Sequence, residues 1–125
     1  MKKIKITCGV IELTADLYDT PTAKKIYSQL PITGRTMRWG DEVYFSIPVD
    51  AEEEQNARDV LEPGELGFWP VGNAFCIFWG PTPASSGDEP RAASAVNVFG
   101  RIIGDASVLG AVSGGNEIHI ETLDH

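Results

Sequence analysis

Apolar and polar residues alternate from the start of the chain. Ile4 and Ile6 are separated by lysine, and beyond Cys8-Gly9 the residues Ile11, Leu13, Ala15 and Leu17 alternate with Glu12, Thr14 and Asp16. A period of two sends successive side chains to opposite faces, so this pattern predicts two half-buried strands joined as a hairpin. The period then changes. In DTPTAKKIYSQLP, Thr20 is placed to cap a helix and Pro21 to take its first position, where a missing N–H costs nothing. Ala23, Ile26, Tyr27 and Leu30 follow at helical spacing, an apolar face that must lie on the sheet, and Pro31 ends the segment.

Alternation returns in EVYFSIP, residues 42–48, with Val43, Phe45 and Ile47 on one face. The acidic run DAEEEQNARD predicts a solvated loop or short helix. Two aromatic segments, 66–69 and 75–79, flank Pro70-Val71-Gly72-Asn73 and predict a second hairpin. Residues 82–94, rich in Pro, Ser and Gly, have almost no apolar anchor and are expected to be the most mobile segment outside the termini. Residues 95–101 read as a strand, Asp105 as the cap of a helix near 106–109, and Ser113-Gly114-Gly115 as its close. In a last strand Glu117, His119 and Glu121 alternate with Ile118 and Ile120; a solvated strand face accounts for that trio better than metal ligation, and His125 is terminal. Many short alternating strands favour closure, which removes exposed edges. The expected fold is therefore mainly β: a closed barrel of about seven or eight strands with two short capping helices. Ile4, Ile6, Ile11, Leu13, Ile118 and Ile120 should point inward, and Ala23, Ile26 and Leu30 should close one end.

Composition narrows the function. The 125 residues suit one domain, residues 1–125, with no internal repeat or linker. A formal charge of -8 and a pI near 4.6 speak against nucleic acid, whose phosphates are held by lysine and arginine. No apolar run is long enough to cross a bilayer and the N-terminus reads as a strand, so a cytoplasmic protein with no membrane partner is expected. Cys8 and Cys76 lack metal or redox spacing and read as buried thiols, a disulfide being the alternative. No cofactor fingerprint and no metal motif is present, so neither is expected.

Several segments carry a resemblance. TPTAKKIYSQL is similar to the first helix of cyclophilins, and VFGRIIGDASVL to the strand, turn and short helix near their end. The order of elements matches over nearly the whole chain. Gly40 to Phe45 and Ile77 to Pro83 resemble a Gly-x-Glu-x-Tyr-Phe strand and an Ile-Phe-x-Gly-Pro-Thr-Pro stretch of small stand-alone prokaryotic cyclophilin-like proteins without assigned function. The resemblance implies the barrel and, in true cyclophilins, prolyl isomerisation by an arginine in Phe-His-Arg-Ile-Ile-Pro. That segment, matched on its Ile-Pro end, puts Phe45 at the arginine; similar matches leave Ala74 for the glutamine, Cys76 for a phenylalanine and Val96 for the histidine. A twisted amide must be stabilised by donors fixed beforehand, and phenylalanine has none.

The reading is thus a cyclophilin-like protein that binds a peptide or small molecule in an apolar groove, with no catalytic residue assigned. Candidate binding residues are Phe45, Trp69, Phe75, Phe78 and Trp79, with Arg38 and Arg101 near them. Two alternatives stand: a prolyl isomerase in which Arg38 or Arg101 replaces the lost arginine, and a structural module that associates through its aromatic hairpin. The oligomeric state is left open.

Overall fold

The structure, a computed structural model, describes residues 2–123, so His125 lies outside the described residues. The first two strands, β1 (Lys3–Cys8) and β2 (Ile11–Leu17), form the expected hairpin, in which Cys8 pairs with Ile11 across a two-residue turn. Gly9 takes φ +61° there, a conformation that glycine adopts without the strain a Cβ would bring. Helix α1 (Pro21–Ser28) starts as its sequence dictates: the Thr20 hydroxyl accepts the Ala23 N–H at 3.1 Å and Pro21 opens the first turn. Three short strands, β3 (Ile32–Arg35), β4 (Met37–Arg38) and β6 (Arg58–Val60), accompany the expected β5 (Glu42–Ser46), β7 (Glu65–Trp69) and β8 (Ala74–Phe78). The strand expected at 95–101 is the longer β9 (Arg91–Ile103). It runs through Gly100 without turning, and the glycine serves close pairing instead: a Cβ there would lie 2.6 Å from the Asp16 carbonyl oxygen and hold β2 off. The turn comes at Gly104, with φ +107°, and a 3-10 helix (Ala106–Ala111) capped by Asp105 leads to β10 (Glu117–Thr122).

The expected closed barrel of seven or eight strands is not what forms. The described strands make one antiparallel sheet of ten, in the order β3-β10-β1-β2-β9-β7-β8-β5-β4, with β6 added beside β9. Its two edges are consecutive pieces of chain, separated by Thr36 alone. β3 follows β10 and β4 follows β5, so no ladder joins one edge to the other. Thr36 is buried at this break, its N–H and hydroxyl donating to the Asn116 and Ser113 carbonyls. The apolar face nevertheless gathers as the alternation requires. Ile4, Ile6, Ile118 and Ile120 are buried in one cluster with Phe45, Phe68, Phe75 and Phe99, and Ile11, Leu13 and Leu30 pack against it. Ala23 and Ile26 of α1 and Leu109 of the 3-10 helix join the same cluster.

The other face of β5, β7, β8 and β9 is not left to solvent. A second apolar cluster of Leu61, Ala74, Cys76, Phe78, Ala92 and Val96 covers it, with Tyr44, Trp69 and Val98 at its margin. Strand β6 and residues 80–90 lie along it. That loop ties itself down: Glu89 accepts the N–H groups of Ser86 and Gly87, both at 2.8 Å, and Arg91 pairs with Glu89 and Asp59. The Ser86 N–H first, then Glu89's own N–H, the Gly87 N–H and Arg91, hold the half-buried Glu89 carboxyl down at about 2. The acidic run is an irregular loop up to Ala57 and enters β6 at Arg58 and Asp59, and Glu54 within it is drawn onto α1, where it accepts the Thr22 N–H and hydroxyl.

Candidate functional site

Two tight turns meet at one end of the second cluster. Gly40, at φ +61°, lies so close to Thr82 that a Cβ would come within 2.7 Å of its Cα. The Asp41 N–H donates to the Pro81 carbonyl at 2.9 Å, and the Trp79 N–H donates to the Asp41 carbonyl at 3.0 Å. Gly40 to Phe45 and Ile77 to Pro83, the two stretches that resemble the stand-alone proteins, are thereby clamped together. The clamp sets Glu42 at the start of β5, opposite Phe78. Period-two alternation then places Glu42 and Tyr44 on the face shared by Ala74, Cys76 and Phe78.

On this face a pocket of about 250 Å³ is lined by Trp39, Glu42, Tyr44, Trp69, Cys76, Ala92, Ala93 and Val96. Gly67 lets β7 and β9 close beneath it, since a Cβ there would meet Val96 Cγ2 at 2.7 Å. The Trp69 indole N–H donates to Ser94 Oγ at 2.7 Å, and Thr82 Oγ donates to the Arg91 carbonyl at 2.5 Å, tying the loop to the start of β9. The walls are mostly apolar or aromatic, and one carboxyl stands among them.

That carboxyl is unusual. Glu42 is only 5% exposed, and among the described residues no basic side chain pairs with it. Burial pushes its pKa up to about 7, and the nearby Cys76 thiol offsets this only in part. Burial first, and then the Glu42 charge, push the Cys76 thiol well above its ordinary range. Glu65, also shielded from solvent at 3% exposed, behaves oppositely. Burial raises it, but the Arg58 guanidinium, the Glu62 N–H and the Tyr18 hydroxyl outweigh that and hold it below the ordinary carboxylate value. Glu42 lies deeper and lacks such partners, and both differences push it upward.

The seven residues singled out in the sequence do not share a groove. Phe45 and Phe75 are core, stacked at 5.1 Å, with Phe75 edge-on to Phe99 at 5.0 Å. Phe78 is fully buried in the second cluster. Trp69 lines the pocket. Trp79 packs on the main core under the Arg38 guanidinium, 5.1 Å from its ring. Arg38 donates to the Gly110 and Val112 carbonyls at 3.1 and 2.9 Å and lies 3.5 Å from Asp41. Arg101 sits on β9 between its cross-strand neighbours Asp16 and Glu65. Glu42, Tyr44 and Cys76 were not singled out. Their signal was slight: a carboxylate in phase with Tyr44 and, on the partner strand, a cysteine among aromatics.

Elsewhere the features are more ordinary. A hollow of about 470 Å³ is larger, but Lys2, Asp19 and Lys24 on its walls are exposed and solvated. On β10, His119 Nδ1 is 2.8 Å from Thr33 Oγ1 and Nε2 is 3.7 Å from Glu121. No group of three or more His, Cys, Asp or Glu among the described residues is arranged to hold a metal ion. No described helix is long and apolar enough to cross a membrane.

Comparison with known proteins gives a consistent picture. The sequence profile of the family described as Cyclophilin-like matches residues 2–121. A hypothetical protein of Archaeoglobus fulgidus, whose structure was solved in solution, is 38% identical. It superposes with a TM-score of 0.82 over 98% of this chain and 95% of its own. No curated protein matches. With a family profile spanning almost every residue and a solved relative of the same length and fold, the chain belongs to the cyclophilin-like family.

Proposed function

We propose that this chain is a cyclophilin-like binding protein that takes a small organic molecule, or a single side chain of a peptide, into the Glu42 pocket, and that it does not isomerise proline by the arginine mechanism. The observation that carries the reading is a pocket with apolar and aromatic walls around one buried carboxyl. Ligand sites combine a large apolar lining with a few placed polar groups in this way. A volume of about 250 Å³ suits a single ring or side chain rather than a folded segment. Neither Arg38 nor Arg101 is among the lining residues, which disfavours a relocated catalytic arginine.

Benzyl alcohol, a neutral one-ring probe, tests the reading. Titrated into the full-length protein, it should shift the amide resonances of Trp39, Trp69, Ala92, Ala93 and Val96 together. Ala93 is exposed at the rim, so Ala93→Trp should block the pocket, spare the fold and abolish those shifts. Shifts that centre elsewhere, or that survive Ala93→Trp, would overturn the assignment.

A further inference from the structure

We infer that the ligand for this pocket is a small organic ammonium ion, whose charge pairs with the Glu42 carboxylate between Trp39, Tyr44 and Trp69. The inference deepens the binding reading and rests on it. Its first support is a comparison within the molecule. Glu65, like Glu42, is almost wholly shielded from solvent, and it is supplied with Arg58, the Tyr18 hydroxyl and the Glu62 N–H. Glu42 has only the Cys76 thiol, a weak donor whose Sγ is also 3.8 Å from the Ala74 carbonyl oxygen, to which it donates. Glu42 avoids an unpaired charge by keeping its proton, and no lysine or arginine lines the pocket to stabilise its ionised form. A cation that enters with the ligand supplies that partner.

The walls supply the second support. Three aromatic residues line the same small volume as the carboxyl, and aromatic faces attract ammonium groups, most strongly when water is excluded. An anion would meet Glu42 and no basic residue. A neutral ligand would gain the apolar contact but leave the carboxyl uncompensated. The net charge of -8 adds a field that raises the local concentration of cations rather than anions.

Proton linkage gives the pairing a signature. The other titratable groups on the walls are Tyr44 and Cys76, while Asp41, next in sequence, has Arg38 beside it at 3.5 Å. The walls contributed by β7 and β9 are uncharged: Trp69, Ala92, Ala93 and Val96. Unliganded Glu42 binds its proton up to about pH 7. An ammonium ion favours the ionised form and so must drive that proton off below neutrality.

Benzylammonium and benzyl alcohol, titrated by calorimetry into the full-length protein, separate the charge from the apolar contact. At pH 8 the ammonium should bind at least ~10-fold tighter than the alcohol. At pH 6, in two buffers of different ionisation enthalpy, it should release close to one proton per molecule bound, and its affinity should be ~10-fold or so weaker. Glu42→Gln should erase the preference of the ammonium over the alcohol and the proton release; Ala93→Trp should remove both ligands. Equal affinity for the two probes, or a preference that survives Glu42→Gln, would overturn the inference and leave the pocket reading standing. Failure of both probes to bind would overturn both.

Discussion

Glu42 shows how one residue couples stability to pH. Its folded pKa, about 7, stands above the 4.5 of an unburied glutamate, so between those values the folded state holds a proton that the unfolded chain releases. The stabilisation is complete below pH 4.5 and is lost as pH rises through 7. The full difference corresponds to ~3 kcal/mol, since one pKa unit is about 1.4 kcal/mol. Glu42→Gln keeps the shape and removes the ionisation. It is expected to be more stable than the parent at pH 8, by up to ~3 kcal/mol, and nearly equal to it at pH 4.5. Urea unfolding of both proteins at the two pH values decides this, and a difference between variant and parent that does not grow from pH 4.5 to pH 8 would mean that water reaches the carboxyl. A second buried polar residue works differently. Asn97 donates to Thr22 Oγ1 at 3.0 Å and to the Glu52 carbonyl at 2.8 Å, and its Oδ1 accepts the Glu54 N–H at 2.7 Å. Truncation removes all three bonds and strands the Glu52 carbonyl and the Glu54 N–H, so Asn97→Ala should cost about 2–4 kcal/mol and loosen the acidic loop from α1. Equilibrium unfolding measures the first effect, and protease sensitivity at residues 50–57 the second.

Among the elements, those with a strong local pattern were legible in the sequence. The β1–β2 hairpin, the capped α1, the β7–β8 hairpin and the inward set of isoleucines follow from periodicity and capping alone. Strands β3, β4 and β6 were not legible. They have four, two and three residues, mostly polar or exposed, and exist because a partner strand is already in place. The open sheet was missed for the same reason, because its edges are two of those short strands. In the site, Trp69 was singled out and lines the pocket, but Glu42 was not singled out: alternation alone assigns a carboxylate to water, and that face is covered by the distant β6 and residues 80–90. Arg38 is a related case, a candidate ligand residue whose role is between elements. Its guanidinium ties β4 to the end of the 3-10 helix through the Gly110 and Val112 carbonyls. Arg38→Ala is expected to cost about 1–2 kcal/mol and to speed hydrogen exchange at Leu109 and Val112, with Ile118 and Ile120 unaffected. Uniform acceleration across the sheet would show instead that Arg38 supports the whole fold.

For the molecule as a whole, the proposed function has a cyclophilin-like chain binding a ligand without isomerising proline. An isomerase must hold the twisted amide more tightly than the planar one, because only interactions strengthened in the transition state accelerate the step. The outward positions on β5 hold Glu42, Tyr44 and Ser46, none of them cationic, and the pocket they help to form contains no arginine. Removing one preorganised donor typically costs ~10²–10³ in rate. We therefore expect this protein to accelerate isomerisation of a short Xaa-Pro peptide at least ~10²-fold less than a cyclophilin with its arginine intact, in a side-by-side assay. Comparable rates would mean that another donor does the work. Replacing the matched residue will not repair the deficit, for a reason set by packing. Phe45 faces inward, 1% exposed, stacked on Phe75, and its ring carbon Cδ2 fills the space a Gly34 Cβ would need at 2.8 Å. Phe45→Arg would bury an unpaired guanidinium where that ring now lies, a penalty of several kcal/mol against a total stability of about 5–15 kcal/mol. The variant should be inactive and should also lose its cooperative thermal transition, whereas Tyr44→Arg, one residue along on the outward face, should still fold. A Phe45→Arg protein that melts like the parent would place Phe45 on the wrong side of the sheet and undo the register on which the pocket is built.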